Sequence, residues 1–146
     1  MNPFDPKAII LAKHAQHVVL IHFPIALFLV GVGLDLVSRG RRETPLAQAA
    51  YINLGLAAIT AVPAAVTGLV AWQLVLEGKS PKGILLWHLV AALLVILLLT
   101  ASWWIHWRAR RQQAQLPNYR VAVELSGVLA VVLAAHLGGF LSGVNM

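Results

Sequence analysis

Four long apolar stretches, separated by short polar joints, organise the chain. They cover residues 17–37, 50–76, 83–107 and 119–143. Each can cross a hydrocarbon core of about 30 Å, which takes about 20 helical residues. Their apolar positions run without alternation, which favours helices over strands. Because the joints are too brief for parallel neighbours, the pattern predicts an all-α, integral membrane, up-down-up-down four-helix bundle, with residues 1–146 forming a single domain.

Composition supports a membrane location. The chain is 60% hydrophobic and 11% charged, against about 45–50% and about 25% for soluble domains. Its net charge of +6 does not indicate nucleic-acid binding, because the basic residues sit at the ends of apolar runs. The absence of cysteine excludes disulfides and iron–sulfur ligation within the chain. The N-terminus has an acidic Asp5 and no small-residue cleavage site, so the first apolar stretch is expected to be a permanent anchor.

The basic residues predict an orientation. All seven arginines flank the first and third joints: Arg39, Arg41, Arg42, Arg108, Arg110, Arg111 and Arg120. The four lysines lie at the opposite ends of the apolar stretches: Lys7, Lys13, Lys79 and Lys82. Because positive charge is enriched in cytoplasmic joints, the arginine side is predicted to be cytoplasmic. The expected location is the bacterial inner membrane, with both termini periplasmic.

Three histidines on separate predicted helices lie at one depth. His22, His88 and His136 each fall about six residues inward from the external ends of their helices, or about 9 Å below one surface. The first and third helices run one way and the fourth runs back, so sequence spacing alone does not produce this agreement. Polar residues at membrane depth are energetically costly and are usually functional. We therefore predict that this layer binds a metal or a cofactor.

Haem b suits this histidine layer better than a bare metal ion. Three imidazoles would satisfy zinc or copper, but no carboxylate lies at that depth to support them. Haem b needs one or two axial histidines in an apolar pocket. The predicted ligands are His88 with His136 or His22, and the third histidine would contact a propionate or a quinone. Small residues near the same layer are predicted to line the pocket: Thr67, Gly68, Gly138 and Gly139. Tight helix packing is the alternative role for Gly68.

The predicted cytoplasmic half contains a second polar group. His106 lies in the string WWIHWRARR, where an aromatic belt meets a positive anchor, and is therefore expected at the membrane interface. The group also includes Asp35, Asn53, Arg120 and Glu124. A salt bridge from Asp35 to a nearby arginine is expected, with a proton path or quinone pocket as the alternative. Without a second inner histidine pair, the chain alone is not expected to hold haems at both faces.

Several motifs resemble those of one bacterial membrane-protein family. The segment from His17 to Leu27, HVVLIHFPIAL, is similar to the opening motif of the family known as domain of unknown function 2231. Matching features follow along nearly the whole chain: an aspartate late in the first helix at Asp35, the pair Thr67–Gly68, a histidine opening the third helix at His88, and His-Leu-Gly-Gly at 136–139. The first motif is fairly specific, and the others are weak alone.

The resemblance implies a redox-associated membrane subunit, since some family members are joined to Rieske-type domains. The sequence departs from the family pattern in two places. Val18 stands where a proline is usual, and the C-terminus lacks the additional histidine that some members carry. The second departure argues against two haems held by four histidines.

The predicted function is a haem b-binding subunit that passes electrons between a periplasmic redox partner and the quinone pool, within a larger complex. So little of the chain lies outside the membrane that an independent enzyme is not expected. The alternative hypothesis is a cofactor-free scaffold or anchor whose histidines form interhelical hydrogen bonds. A small metal-binding or transport protein is a third possibility, and it would contain stoichiometric copper or zinc.

Overall fold

Four helices make up most of the described part of the chain. The computed structural model describes residues 15–142 apart from 40, 42, 76 and 79. The helices are α1 (Ala15–Ser38), α2 (Pro45–Val75), α3 (Ile84–Arg111) and α4 (Tyr119–Leu141). All four are long and apolar enough to cross a membrane. The predicted all-α four-helix architecture is therefore confirmed.

Two helices extend by about one turn or more beyond their apolar stretches. α2 begins at Pro45, because Thr44 Oγ1 accepts a hydrogen bond from the Ala47 backbone N–H at 3.1 Å and proline is favourable at a first helical position. α3 continues to Arg111 and carries three arginines in its last turn. Cations there complement the helix dipole. Apolar length alone does not give these limits, because a cap at Thr44 and basic residues in a last turn extend the helices past their apolar runs.

The helices pack as two antiparallel hairpins. α1 lies against α2 and α3 against α4, while the α2–α3 and α1–α4 faces close the bundle. Glycines allow close approach: a Cβ at Gly127 of α4 would lie 2.5 Å from Phe28 Cζ of α1. Likewise, a Cβ at Gly31 would lie 3.0 Å from Leu54 Cγ. The buried core between the helices consists of Phe28, Val32, Leu54, Ala57, Ala61, Leu99 and Val131.

The outside of the bundle is apolar. Large side chains such as Leu129, Val37 and Ile59 are 71%, 67% and 65% exposed. Side chains of this kind recur on every helix, which is the surface expected to face lipid. The protein is therefore a multi-pass membrane protein in contact with the bilayer.

Candidate functional site

Two histidines make equivalent contacts at the end of the bundle where α1 and α3 begin, here called the histidine end. The first is His17 of α1, which is half-buried. Its Nδ1 lies 3.0 Å from the carbonyl oxygen of Ala64 in α2 and 3.4 Å from Thr67 Oγ1. A Cβ at Gly68 would lie 2.9 Å from His17 Cε1, so this glycine provides the space that the imidazole occupies.

His88 of α3 repeats this arrangement on the second hairpin. It is half-buried, and its Nδ1 lies 3.1 Å from the carbonyl oxygen of Ala134 in α4. A Cβ at Gly138 would lie 3.2 Å from His88 Cε1. In both hairpins, the glycine beneath the ring follows the carbonyl acceptor by four residues, or about one helical turn.

These bonds fix the tautomer of each imidazole. A carbonyl oxygen only accepts hydrogen bonds, so Nδ1 of His17 and of His88 must carry the proton. The lone pair of each neutral ring then lies on Nε2. Histidine ligands of metals are commonly oriented in this way, by an N–H donated to a carbonyl. Each ring is therefore held in the form that can coordinate a metal.

The other predicted ligands occupy different surroundings. His22 is exposed, and its Nδ1 bonds to the Val18 carbonyl within its own helix at 2.6 Å. His136 is also exposed, and its ring meets Phe140 edge-on at 5.0 Å between centroids. Because His88 contacts α4 at Ala134 and Gly138, two residues to either side of His136, these two histidines lie at the same level.

The predicted pocket residues divide between the two hairpins. Thr67 and Gly68 meet His17, and Gly138 meets His88. Gly139, half-buried, follows Gly138 in α4. Gly68 and Gly138 therefore accommodate imidazoles in this structure, which is compatible with either predicted role, a cofactor pocket or tight packing.

A second polar group lies at the other end of the bundle, here called the arginine-rich end. Its residues are spaced regularly from those of the histidine end. His17 and Asp35 of α1 are 18 residues apart, and so are His88 and His106 of α3. Eighteen residues make about five helical turns, so both members of each pair share a helix face and their Cα atoms lie about 27 Å apart. The two polar groups therefore sit near opposite membrane surfaces.

Asp35 forms the predicted salt bridge. Its Oδ2 accepts a hydrogen bond from Arg120 Nε at 2.8 Å, joining α1 to α4. Asp35 is fully buried, and Arg120 is 6% exposed. Asn53, predicted to belong to the same polar group, instead donates to the Ala49 carbonyl of its own helix at 2.9 Å. The expectation of an aspartate–arginine pair is confirmed.

His106, which the string WWIHWRARR placed in an aromatic belt, is buried between the helices instead of lying on the surface of the bundle. It is 3% exposed, and its Nε2 lies 2.9 Å from Oε1 of Glu124, which is fully buried. Because α3 continues to Arg111, His106 lies well inside the helix rather than at its end. A signal was available: His106 lies five residues before the end of α3 and Glu124 five residues after the start of α4, on opposite sides of one short joint.

Asp35, His106 and Glu124 converge as one buried triad. His106 Nε2 lies 3.8 Å from Asp35 Oδ1, and one ligand-type atom from each residue lies within 4.8 Å of the others. Asp35 Oδ1 and Glu124 Oε2 are buried and have no hydrogen-bond partner among the described residues. Buried polar atoms normally find a partner, so both oxygens need an explanation.

Nearly the whole chain matches a single protein-family model. The family is described as "Predicted membrane protein (DUF2231)", and the match covers residues 13–144. It includes all the residues of both polar groups. No curated protein and no solved structure matches the chain.

Proposed function

The chain belongs to the DUF2231 family of predicted membrane proteins, as its motifs indicated, and we propose that it binds haem b at the histidine end. In this proposal it passes electrons between a periplasmic redox partner and the quinone pool, as a subunit of a larger complex. The arginine-rich end faces the cytoplasm of a bacterium, by the excess of arginine there. Both termini and the histidine end then face the periplasm.

The observation that carries the proposal is the matched geometry of His88 and His17. Each half-buried imidazole donates Nδ1–H to a carbonyl of the partner helix. Coordination through Nε2 therefore requires no change of tautomer. Gly68 and Gly138 let each ring lie directly against the neighbouring helix, which holds it in place.

His88 is the first ligand in this proposal, because the sequence predicted it as a ligand and its ring is held by the Ala134 carbonyl. His17 is the geometrically matched second ligand. The predicted partners His22 and His136 remain alternatives, and either would have to turn from its exposed position toward His88. Bound haem b would supply reversible one-electron chemistry in an apolar setting. The chain contributes anchored imidazoles and walls that exclude water.

The same hydrogen bonds also favour one rival function. Histidines that donate between membrane helices stabilise packing, as expected for a cofactor-free scaffold or anchor subunit. His17 and His88 each tie one hairpin together, and that contact requires no cofactor. The two functions therefore differ in whether the Nε2 atoms coordinate anything.

A visible spectrum of the full chain, purified from haem-replete cells, separates the two functions. We expect a reduced-minus-oxidised b-type signal with about one haem per chain, the ratio a single pair of axial ligands gives. His88→Ala and His17→Ala should abolish the signal, whereas His22→Ala and His136→Ala serve as matched surface controls. Loss with His22→Ala or His136→Ala, and retention with His17→Ala, would reassign the second ligand.

Protein that carries no haem under these conditions would favour the scaffold function. Stoichiometric copper or zinc that disappears with His88→Ala would instead indicate a metal-binding protein. Each variant should also be compared with the wild type by size-exclusion profile in detergent, so that loss of haem is separated from loss of folding.

A further inference from the structure

The two carboxylates that lie within the membrane-spanning helices meet at one point. Among the acidic residues in the described part of the chain, only Asp35 and Glu124 fall inside the helices. Both are fully buried, and both contact His106. Ionisable groups at this depth are costly and usually serve a function. We propose that Asp35, His106 and Glu124 bind one divalent first-row transition-metal ion.

One hydrogen bond joins His106 to Glu124, but no hydrogen bond joins His106 to Asp35, although the spacing of all three residues fits ligands of one ion. His106 Nε2 lies 2.9 Å from Glu124 Oε1 and 3.8 Å from Asp35 Oδ1. The longer distance exceeds that of a hydrogen bond. Ligand bonds of about 2.0–2.2 Å place neighbouring ligand atoms roughly 3–4 Å apart. Small side-chain shifts would therefore bring all three residues onto one ion.

Unsatisfied oxygens supply the second, independent observation. Asp35 Oδ1 and Glu124 Oε2 are buried and have no hydrogen-bond partner in the described part of the chain. Both belong to the two fully buried carboxylates of the triad. A bound cation would satisfy the lone pairs that the protein leaves unmatched.

Arg120 supports the site from outside. Its Nε donates to Asp35 Oδ2 at 2.8 Å, and its Nη1 donates to the Pro117 carbonyl at 3.4 Å. Asp35 Oδ1 is thereby left as the coordinating oxygen, an arrangement common around metal-bound carboxylates. With His106 neutral, the two carboxylates and one guanidinium leave a net negative charge. When a cation binds, the proton of the neutral His106 ring moves from Nε2 to Nδ1, so that Nε2 can coordinate.

The donor set selects a class of ion. One imidazole nitrogen and two carboxylates suit Mn²⁺, Fe²⁺ or Zn²⁺, whereas Cu⁺ prefers thiolate or thioether ligands. Three protein ligands also leave coordination positions open. The site lies about five helical turns from His17 and His88, so it is separate from the proposed haem site.

Mn²⁺ binding to the purified full chain tests the proposal. We expect about one Mn²⁺ per chain by electron paramagnetic resonance titration, as one three-ligand site predicts, with competition by Zn²⁺. Asp35→Asn, His106→Gln and Glu124→Gln keep side-chain size and should each weaken binding at least tenfold. Glu43→Gln, which alters a carboxylate outside the helices, and His88→Ala, which alters the other end, should leave binding unchanged.

A measurement on the wild type guards against variants that fail to fold. Pulsed electron paramagnetic resonance on bound Mn²⁺ should detect the nitrogen of one directly coordinated imidazole. Absence of stoichiometric binding, absence of that nitrogen signal, or full affinity in a folded triad variant would each overturn the proposal. Because the haem spectrum is an independent readout, failure of either site does not imply failure of the other.

Discussion

At the arginine-rich end, Asp35, His106 and Glu124 are at most 3% exposed and contact one another. At the histidine end, by contrast, His17 and His88 are half-buried and bond to backbone carbonyls. In the first group, each buried carboxylate depends on one partner, Asp35 on Arg120 and Glu124 on His106, and losing that partner leaves it unpaired. The second consists of neutral rings, each held by its own carbonyl. We infer that the arginine-rich end contributes more to stability and that the histidine end is better suited to accept a large ligand.

The largest effect should come from removing the arginine of the buried group. Arg120→Ala leaves Asp35 without its cation, and breaking one side of a buried ion pair costs about 3–5 kcal/mol. Arg41, exposed at the same end, is the control, and Arg41→Ala should change stability by about 0.5 kcal/mol or less. Reversible unfolding in mixed micelles measures both. A cost for Arg120→Ala close to that of the control would remove the contrast between the two ends.

A smaller effect should follow from adding one methyl group between the hairpins. Gly127→Ala would place a Cβ 2.5 Å from the fully buried Phe28, and overpacking of this kind costs about 1–3 kcal/mol. Gly33 has no atom within 4 Å of its Cβ position. Gly33→Ala should therefore be neutral or stabilise by up to about 1 kcal/mol. The same unfolding assay compares the two, and equal effects would contradict the close α1–α4 contact.

The smallest effect on stability should come from the histidine end. His88→Ala in protein free of haem removes one interhelical hydrogen bond, which is worth about 0.6 kcal/mol on average and about 1.7 kcal/mol at most in membrane proteins. His106→Ala, which leaves Glu124 unpaired, should cost several times more. If the two variants lost the same free energy of unfolding, the histidine end would contribute as much to stability as the triad.

Much of the fold was predictable from local pattern. Helix number and the antiparallel order followed from apolar length and short joints, because lipid leaves an isolated segment little choice but a helix. The sequence predicted that an arginine would pair with Asp35, although not which one, because a buried carboxylate close to several arginines needs one of them. Helix ends were less predictable, because Thr44 and Pro45 extend α2 beyond its apolar run.

For the candidate site, the sequence allowed a prediction of how far along each helix a histidine lies, but not of which way it faces. His88 and its glycine Gly138 were both identified, and they lie together. His22 was favoured over His17, yet His17 is the one that bonds to the opposite helix. Sequence position gives the height of a residue along a helix, but the rotation of the helix decides whether it faces a neighbour or lipid.

The sequence by itself determined that this chain has four helices long and apolar enough to cross a membrane, that its arginines flank the first and third joints, and that three of these helices carry histidines. Only the tertiary structure decided that His106 is buried against Glu124 and Asp35. In a soluble helix, an apolar stripe marks the buried face. Here every face is apolar, because lipid lies on the outside, so helix rotation is set by small residues and polar contacts between distant segments.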